Sequence, residues 1–353
     1  MSYRLTIEPL GQTVEAEEGQ TMLDACLRAG VWLPHACGHG LCATCKVQVV
    51  DGEIEHGPAS PFALMDFERD EGRALACCAT LQSDTTIEAD VDEDPDARHV
   101  PVRDFTGVVT GHTDLSPTIK GITLELPENL DFQAGQYVQV HIPGEDAPRA
   151  FSLANPPSTG HFIELNVRRV PGGKGTAWLH DDVEVGQSIR FAGPFGRFFV
   201  RVSDPKPLLF IAGGSGLSSP RSMILDLIER GEMRAMTLVH GARNRSELYY
   251  QDEFEALAGT HPNFHYVPAL SEPSDACAWT GFVGHAHEAA AAHFKGDFRE
   301  HRAYLCGPPL MIEACLRALM QGRLFERDIF TEKFLTSADA AQGVARSPLF
   351  RSI

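Results

Sequence analysis

The sequence predicts three units in one chain: a small α+β grasp of strands around a single helix, an antiparallel β-barrel, and a doubly wound parallel sheet of the α/β class. Three observations predict it. The first ninety or so residues alternate in short strands around one helical stretch and carry Cys37, Cys42, Cys45 and Cys77. Residues 102–202 hold about six short strands punctuated by Gly and Pro. From Leu208 onward, apolar strands alternate with amphipathic helices, beginning at the glycine turn Gly213-Gly214-Ser215-Gly216. A length of 353 residues agrees with two or three domains.

In the first unit, Tyr3, Leu5 and Ile7 share one side of a strand, Leu10-Gly11-Gln12 turns, and Thr13-Val14-Glu15 returns as a hairpin. Thr21 is placed to N-cap a helix carrying Leu23, Cys26 and Leu27, with Gly30 past its end. The cysteine loop follows, then a strand from Lys46 to Val50, the turn Asp51-Gly52, the segment Leu75 to Ala79 with the last cysteine, and a closing strand Thr85 to Glu88. Small strands clasping one helix make a β-grasp domain, residues 1–92. The charge run from Glu88 to Pro95 reads as a solvated, extended linker, residues 93–101, because like charges repel and proline resists helix.

The loop Cys37-Gly-His-Gly-Leu-Cys42-Ala-Thr-Cys45 is C-x4-C-x2-C, the plant-type spacing for a 2Fe-2S cluster. Two irons need four thiolates, three come from this loop, and a further thiol at Cys77 follows about thirty residues on. Gly38 and Gly40 keep bulk away from the sulfides and can adopt φ > 0, turning backbone N–H groups toward them. A zinc site would favour paired C-x2-C units, and only one is present. Adjacent side chains on an extended segment point opposite ways, so only one of Cys77 and Cys78 faces the cluster. Cys26, Cys78, Cys277 and Cys315 read as small buried hydrophobes. Nine cysteines, an odd number, with no basic-then-apolar leader at the start, point to a reducing cytoplasm.

Net charge is −18, which argues against nucleic acid or an anionic membrane as partner, and no apolar run is long enough for a membrane span. Residues 1–98 hold 19 acidic and 6 basic residues and so carry −13 of that charge. Two readings stand: a solubilising surface, or a docking face steered toward a basic partner.

The barrel, residues 102–204, has two stretches of chemical interest. In Arg149-Ala-Phe151-Ser152, the arginine can fork two hydrogen bonds onto a phosphate, Phe151 offers a flat apolar surface on the same strand face, and Ser152 points the other way. An ordinary half-buried strand would read the same. In Arg168-Arg169-Val-Pro-Gly172-Gly173-Lys174-Gly175-Thr176, glycines and a lysine run into a helix start, with Thr176 as the cap. That aims N–H groups at an anion, unless the stretch is only a basic surface turn.

The parallel-sheet domain, residues 205–335, opens with strand Leu208 to Ala212, and its turn fits G-x-G-x-x-small from Gly214 to Ser219. The turn lacks the lysine of a P-loop. Strand ends at Gly213 to Gly216, at Gly241-Ala-Arg243 and at Cys306-Gly307-Pro308-Pro309 should converge on one crevice. The last strand is Ile329 to Phe334, and residues 336–353 read as a tail.

These motifs, in this order, resemble the ferredoxin–NADP reductase-type flavoproteins that carry an N-terminal plant-type ferredoxin domain. The resemblance implies FAD in the barrel and a nicotinamide dinucleotide on the sheet. Within that group the chain is similar to the reductase components of multicomponent phenol hydroxylases, which take electrons from NADH and pass them to a separate di-iron monooxygenase of aromatic hydrocarbon catabolism. By that resemblance Arg149, Gly173, Lys174, Gly175 and Thr176 hold the FAD phosphates, Phe151 stacks on the flavin, and Ser152 lies near its N5. Leu153, Val167 and Arg168 also border FAD. Gly213, Gly214, Ser215, Gly216, Arg243, Gly307 and Pro308 receive the dinucleotide. Cys306 lies near the nicotinamide, with Glu332 and Phe334 on the same side; Ser152, Cys306 and Glu332 are the expected catalytic set. The closing segment places the fourth cluster ligand six residues before Ser83-Asp84, which selects Cys77. Arg243 and Arg245 stand where a 2′-phosphate would be read, so NADPH could be tolerated, whereas the resemblance favours NADH. Reductases of Rieske ring-hydroxylating dioxygenases share these modules, and a flavin/iron–sulfur redox sensor would need no turnover.

Overall fold

In a computed structural model the described residues are 1–35, 38, 40–41, 43–91, 94–145 and 147–334. Cys37, Cys42, part of the acidic linker and the tail lie outside them. The described residues form two compact units, residues 1–103 and 104–334.

In the first unit, β1 (Ser2–Glu8) and β2 (Gln12–Glu17) form the expected hairpin, followed by α1 (Met22–Arg28), β3 (Lys46–Asp51), β4 (Ile54–Glu55), α2 (Asp66–Asp70), β5 (Arg73–Leu75), β6 (Thr80–Leu81) and β7 (Thr85–Glu88). The main sheet runs β2-β1-β7-β3-β5. The strand that ends the unit is thus central, parallel to β1 and antiparallel to β3. Alternation explains the register: Leu5 and Ile7 are fully buried while their neighbours face outward. Thr21 Oγ1 accepts the Asp24 N–H at 3.3 Å, the cap read from the sequence, and the apolar stripe of α1 is buried.

Three sequence readings need correction here. Cys77 and Cys78 do not lie on an extended segment. The Cys78 and Ala79 N–H groups both donate to the Leu75 carbonyl at 2.9 Å, making a tight turn. Cys277 is partly exposed rather than buried, because it sits in a short 3-10 turn off the sheet. The described part of the linker is not fully extended: Ala97 N–H turns back to Asp94 O at 3.0 Å, and Val102 N–H donates to Leu27 O at 3.0 Å.

The second unit begins with β8 (Arg103–Asp114), β9 (Ile119–Glu125), β10 (Tyr137–Val140), β11 (Arg149–Ser152), β12 (Phe162–Arg168), α3 (Lys174–Asp181) and β13 (Ser188–Phe195). Their order is β11-β10-β13-β8-β9-β12, and a bridge between Leu153 and Leu165 brings the two edges together. That closure removes free edges and makes a barrel. It encloses Phe105, Leu124, Phe132, Val138, Leu165 and Phe191, with Phe105 stacked on Phe191.

β14 (Leu208–Gly213) is buried along its whole length, as a central parallel strand must be when both faces are covered. Next come α4 (Ser218–Glu229), β15 (Met236–Ala242), α5 (Gln251–Thr260), β16 (Phe264–Leu270), β17 (Phe282–Val283), α6 (Ala286–His293), β18 (Arg302–Gly307), α7 (Pro309–Gln321) and β19 (Ile329–Lys333). The sheet is parallel in the order β17-β16-β15-β14-β18-β19. The order reverses between β14 and β18, so a crevice opens beyond their carboxyl ends.

Arg221, on α4, ties the barrel to the sheet. Its Nη1 donates to Ala154 O at 2.8 Å and to Glu164 at 2.7 Å, both on the barrel side. Its Nε and Nη2 reach Glu253 at 2.9 and 3.0 Å, and its guanidinium lies 4.2 Å over the Tyr250 ring. Ser116 and Thr118 of the barrel both donate to Glu247, at 2.8 and 2.7 Å.

Candidate active site

Four side chains from four elements meet at the switch point. Glu332 on β19 accepts from Ser219 Oγ of α4 at 2.9 Å, from Ser152 Oγ of β11 at 3.4 Å and from Cys306 Sγ of β18 at 3.5 Å. Ser152, Cys306 and Glu332, the set that the resemblance implies, are thus brought together. Glu332 keeps some open surface, but protein atoms crowd its carboxyl at the base of the crevice. Burial pushes its acid up to about 7, and the three donors pull the other way. Burial, with the Glu332 charge second, also raises the Cys306 thiol well above its ordinary value, so it stays S–H. The group can therefore hold or release one proton near neutral pH, beside two hydroxyls and a thiol.

Ser219 was read only as the small residue of the glycine motif. Its position at the first turn of α4, three residues beyond Gly216, was the available signal for a contact with the strand ends.

The glycine turn is built for close approach. A Cβ on Gly216 would lie 2.5 Å from Cys306 O and 2.6 Å from Gly307 Cα. One on Gly307, whose φ is +150°, would lie 2.7 Å from Met311 Cε. Gly213 and Gly216 therefore lie against Cys306, Gly307 and the Met311 side chain with no room for side chains of their own, a close-packed turn that fits a dinucleotide. Arg168 reaches the same turn from the barrel, its Nη1 3.8 Å from where a Cβ on Gly214 would sit. Arg169 pairs instead with Asp181 in a two-pronged contact at 2.5 and 2.6 Å. Phe334 N–H donates to Gly307 O at 3.1 Å, and its half-buried ring lies against the sheet's core. Of the two arginines beyond β15, Arg245 donates to Cys277 O at 3.1 Å, while Arg243 stands exposed just past the strand end.

On the barrel, Arg149 and Lys174 grip a single carboxylate. Glu145 Oε2 is 3.2 Å from Arg149 Nη2, and Glu145 Oε1 is 2.8 Å from Lys174 Nζ. Those contacts, Lys174 foremost, hold the Glu145 acid below the usual carboxylate range. An anion thus already occupies the place between two cations at the start of α3, and the pair fits an FAD phosphate. Gly175 lets the helix come this close, since its Cβ would sit 3.3 Å from Arg149 Cγ. Thr176 is not the cap: Gly173 is. Thr176 Oγ1 accepts from Val170 N–H at 3.1 Å and donates to Gly173 O at 3.2 Å, pinning the loop one turn in. Phe151 is half-buried over the barrel core. Leu153 and Val167 are fully buried there, so only their backbones could face a ligand.

In the first unit Gly40, at φ +72°, donates its N–H to Cys77 Sγ at 3.3 Å. Cys45 is buried and Cys77 partly exposed. A backbone donor aimed at the Cys77 sulfur fits a thiolate held for a cluster.

Three family models match the chain: a 2Fe-2S iron-sulfur cluster binding domain over residues 5–82, an oxidoreductase FAD-binding domain over 106–200, and an oxidoreductase NAD-binding domain over 210–317. The reductase component DmpP of phenol 2-monooxygenase from Pseudomonas sp. (strain CF600) is 60% identical over 353 residues, spanning 100% of both chains. The phenol hydroxylase P5 protein of Acinetobacter pittii (strain PHEA-2) is 56% identical over the same full span. The chain belongs to the family of phenol hydroxylase reductase components. This reductase is an oxidoreductase that works from NADH with FAD and a 2Fe-2S cluster, and it serves a hydroxylase component. Its fold is similar to the crystal structure of the Amycolatopsis cytochrome P450 reductase GcoB, with a TM-score of 0.85 and 37% identity over 94% of this chain and 98% of that one. Among the described residues of the reductase, no helix is long and apolar enough to cross a membrane.

Proposed function

We propose that this reductase draws electrons from NADH and delivers them, in the cytoplasm, to the di-iron hydroxylase of a phenol monooxygenase. The convergence of Ser152, Ser219, Cys306 and Glu332 at the barrel–sheet crevice is the observation that carries it. FAD held here would supply the conversion between a two-electron hydride and single electrons, which matches a cluster that accepts one at a time. Arg149, Lys174 and the turn around Gly173 and Thr176 anchor the FAD phosphates, and Phe151 covers the flavin ring. The glycines at 213, 214 and 216, with Gly307 and Pro308, admit the dinucleotide, and Arg168 and Arg243 neutralise its phosphates. Ser152 and Cys306 line the reacting edge and exclude water, while Glu332 holds a proton there. Cys37, Cys42, Cys45 and Cys77 ligate the cluster. Domain limits of 1–92, 102–204 and 205–335 follow from the same assignment.

The test reconstitutes the holoprotein with NADH and a phenol hydroxylase oxygenase component, and in parallel with a Rieske ring-hydroxylating dioxygenase. Phenol consumption with the first alone is the expected result. Turnover only with the second would replace the partner, and none with either would remove the reading.

A further inference from the structure

We propose that the Cys78 thiol donates an S–H···S hydrogen bond to the Cys77 sulfur and thereby raises the reduction potential of the 2Fe-2S cluster. The inference rests on the reading that Cys77 is a cluster ligand. The two sulfurs lie 3.6 Å apart. The tight turn onto the Leu75 carbonyl makes this possible, because it swings consecutive side chains toward one side. A ligating sulfur is a thiolate and can only accept, so Cys78 is the one member of the pair that can donate.

The thiol is also held in place. Cys78 is buried at 7% exposure. A Cβ added to Gly40 would lie 2.6 Å from Cys78 Sγ, 3.2 Å from Ala59 Cα and 3.3 Å from Pro58 O. The sulfur is thus walled in against the bare α-carbon of Gly40 and has little room to turn from its neighbour. Gly57 is pressed against the Cys78 backbone from another side. Gly40 therefore serves both cysteines: its N–H reaches Cys77 Sγ at 3.3 Å, and its missing side chain leaves room for Cys78 Sγ. Two donors then converge on one ligand sulfur. Hydrogen bonds to cluster sulfurs favour the more negative, reduced state, so each donor lifts the potential. Cys78 acts through Cys77 and is a positioning and tuning residue.

The test is an EPR-monitored redox titration of the full-length holoprotein and its Cys78→Ala, Cys78→Val and Cys78→Ser variants. Alanine and valine remove the donor, valine while keeping bulk; serine keeps a donor. Both donorless variants should shift the reduced-to-oxidised equilibrium about tenfold against reduction, about 59 mV lower for one electron. Cys78→Ser should stay at the wild-type midpoint or above it. Unchanged midpoints in all three, or an equal fall in all three, would overturn the proposal. Loss of the cluster's visible absorption in every Cys78 variant, with retention in Cys77→Ser, would instead overturn the ligand assignment.

Discussion

Ser152 and Glu332 are 180 residues apart in sequence and meet at 3.4 Å, the first on the barrel's β11 and the second on the last strand of the parallel sheet. The hydroxyl at the barrel's edge and the carboxyl at the sheet's end thus share one crevice, and burial, which disfavours the charge, pushes that carboxyl up to about 7. A raised carboxyl binds its proton more tightly folded than unfolded. It therefore favours the folded state at low pH, and that contribution is lost as pH rises from the ordinary 4.5 to about 7. Glu332→Gln should remove this decline, so thermal melts of variant and wild type should converge at low pH and diverge, variant higher, above neutrality. Stopped-flow reduction of the bound flavin by NADH should slow in the same variant by about 10²-fold. A wild-type-like rate would deny Glu332 its place at the reacting edge.

Arg221 is the second test of that arrangement. Its side chain is 11% exposed and faces Glu164 at 36% and Glu253 at 29%. Removing the cation leaves two half-buried carboxylates and the Ala154 carbonyl without it. Fully buried pairs cost more to break, and solvent here reduces the loss, so Arg221→Ala should destabilise by about 2 kcal/mol. Calorimetry should show the loss in the melting of the barrel and sheet. A change within about 0.5 kcal/mol would mean that solvent already screens the pair.

Much of this was legible in the sequence, and the rest was not for physical reasons. The strands of the β-grasp were readable because Leu5 and Ile7 alternate with polar neighbours, and β14 because a continuous apolar run ends in glycines. The catalytic candidates at 152, 306 and 332 came from the family resemblance that the motifs support. Their mutual distance could not be read, since it depends on how two sheets pack. The turn at Cys77-Cys78 was misread because its hydrogen bonds run to Leu75, a choice that local propensity does not dictate. Thr176 looked like a cap because it precedes an apolar run, but the chain enters the helix three residues sooner, at Gly173. The ties of Arg221 and of Glu145 have no sequence signature: each joins charges whose spacing along the chain says nothing about contact.

Glu145 leads to a third prediction. It occupies Arg149 and Lys174, the cations that the proposed function assigns to an FAD phosphate, and on that assignment the two anions compete. Glu145→Gln should therefore tighten FAD, whereas Arg149→Ala should weaken it by about 10–100-fold, the worth of a charge-assisted contact. Titration of the deflavinated protein by flavin fluorescence measures both. If Glu145→Gln weakens FAD instead, the carboxylate supports the cations from behind the site and does not stand in for the phosphate.

The acidic balance of the first unit gives a fourth. Residues 1–98 carry −13 of the net −18, and the cluster loop lies among them. Such a charge steers encounter with a basic hydroxylase surface mainly through the association rate. Screening lengths fall from about 30 Å at 0.01 M salt to about 8 Å at 0.15 M, so the rate of electron delivery should drop as salt is added. NADH reduction of the reductase's own flavin, which needs no protein partner, should change far less over the same range and serves as the internal control. Measured at limiting hydroxylase, a delivery rate that is flat from low to high salt would leave the charge with solubility as its only role.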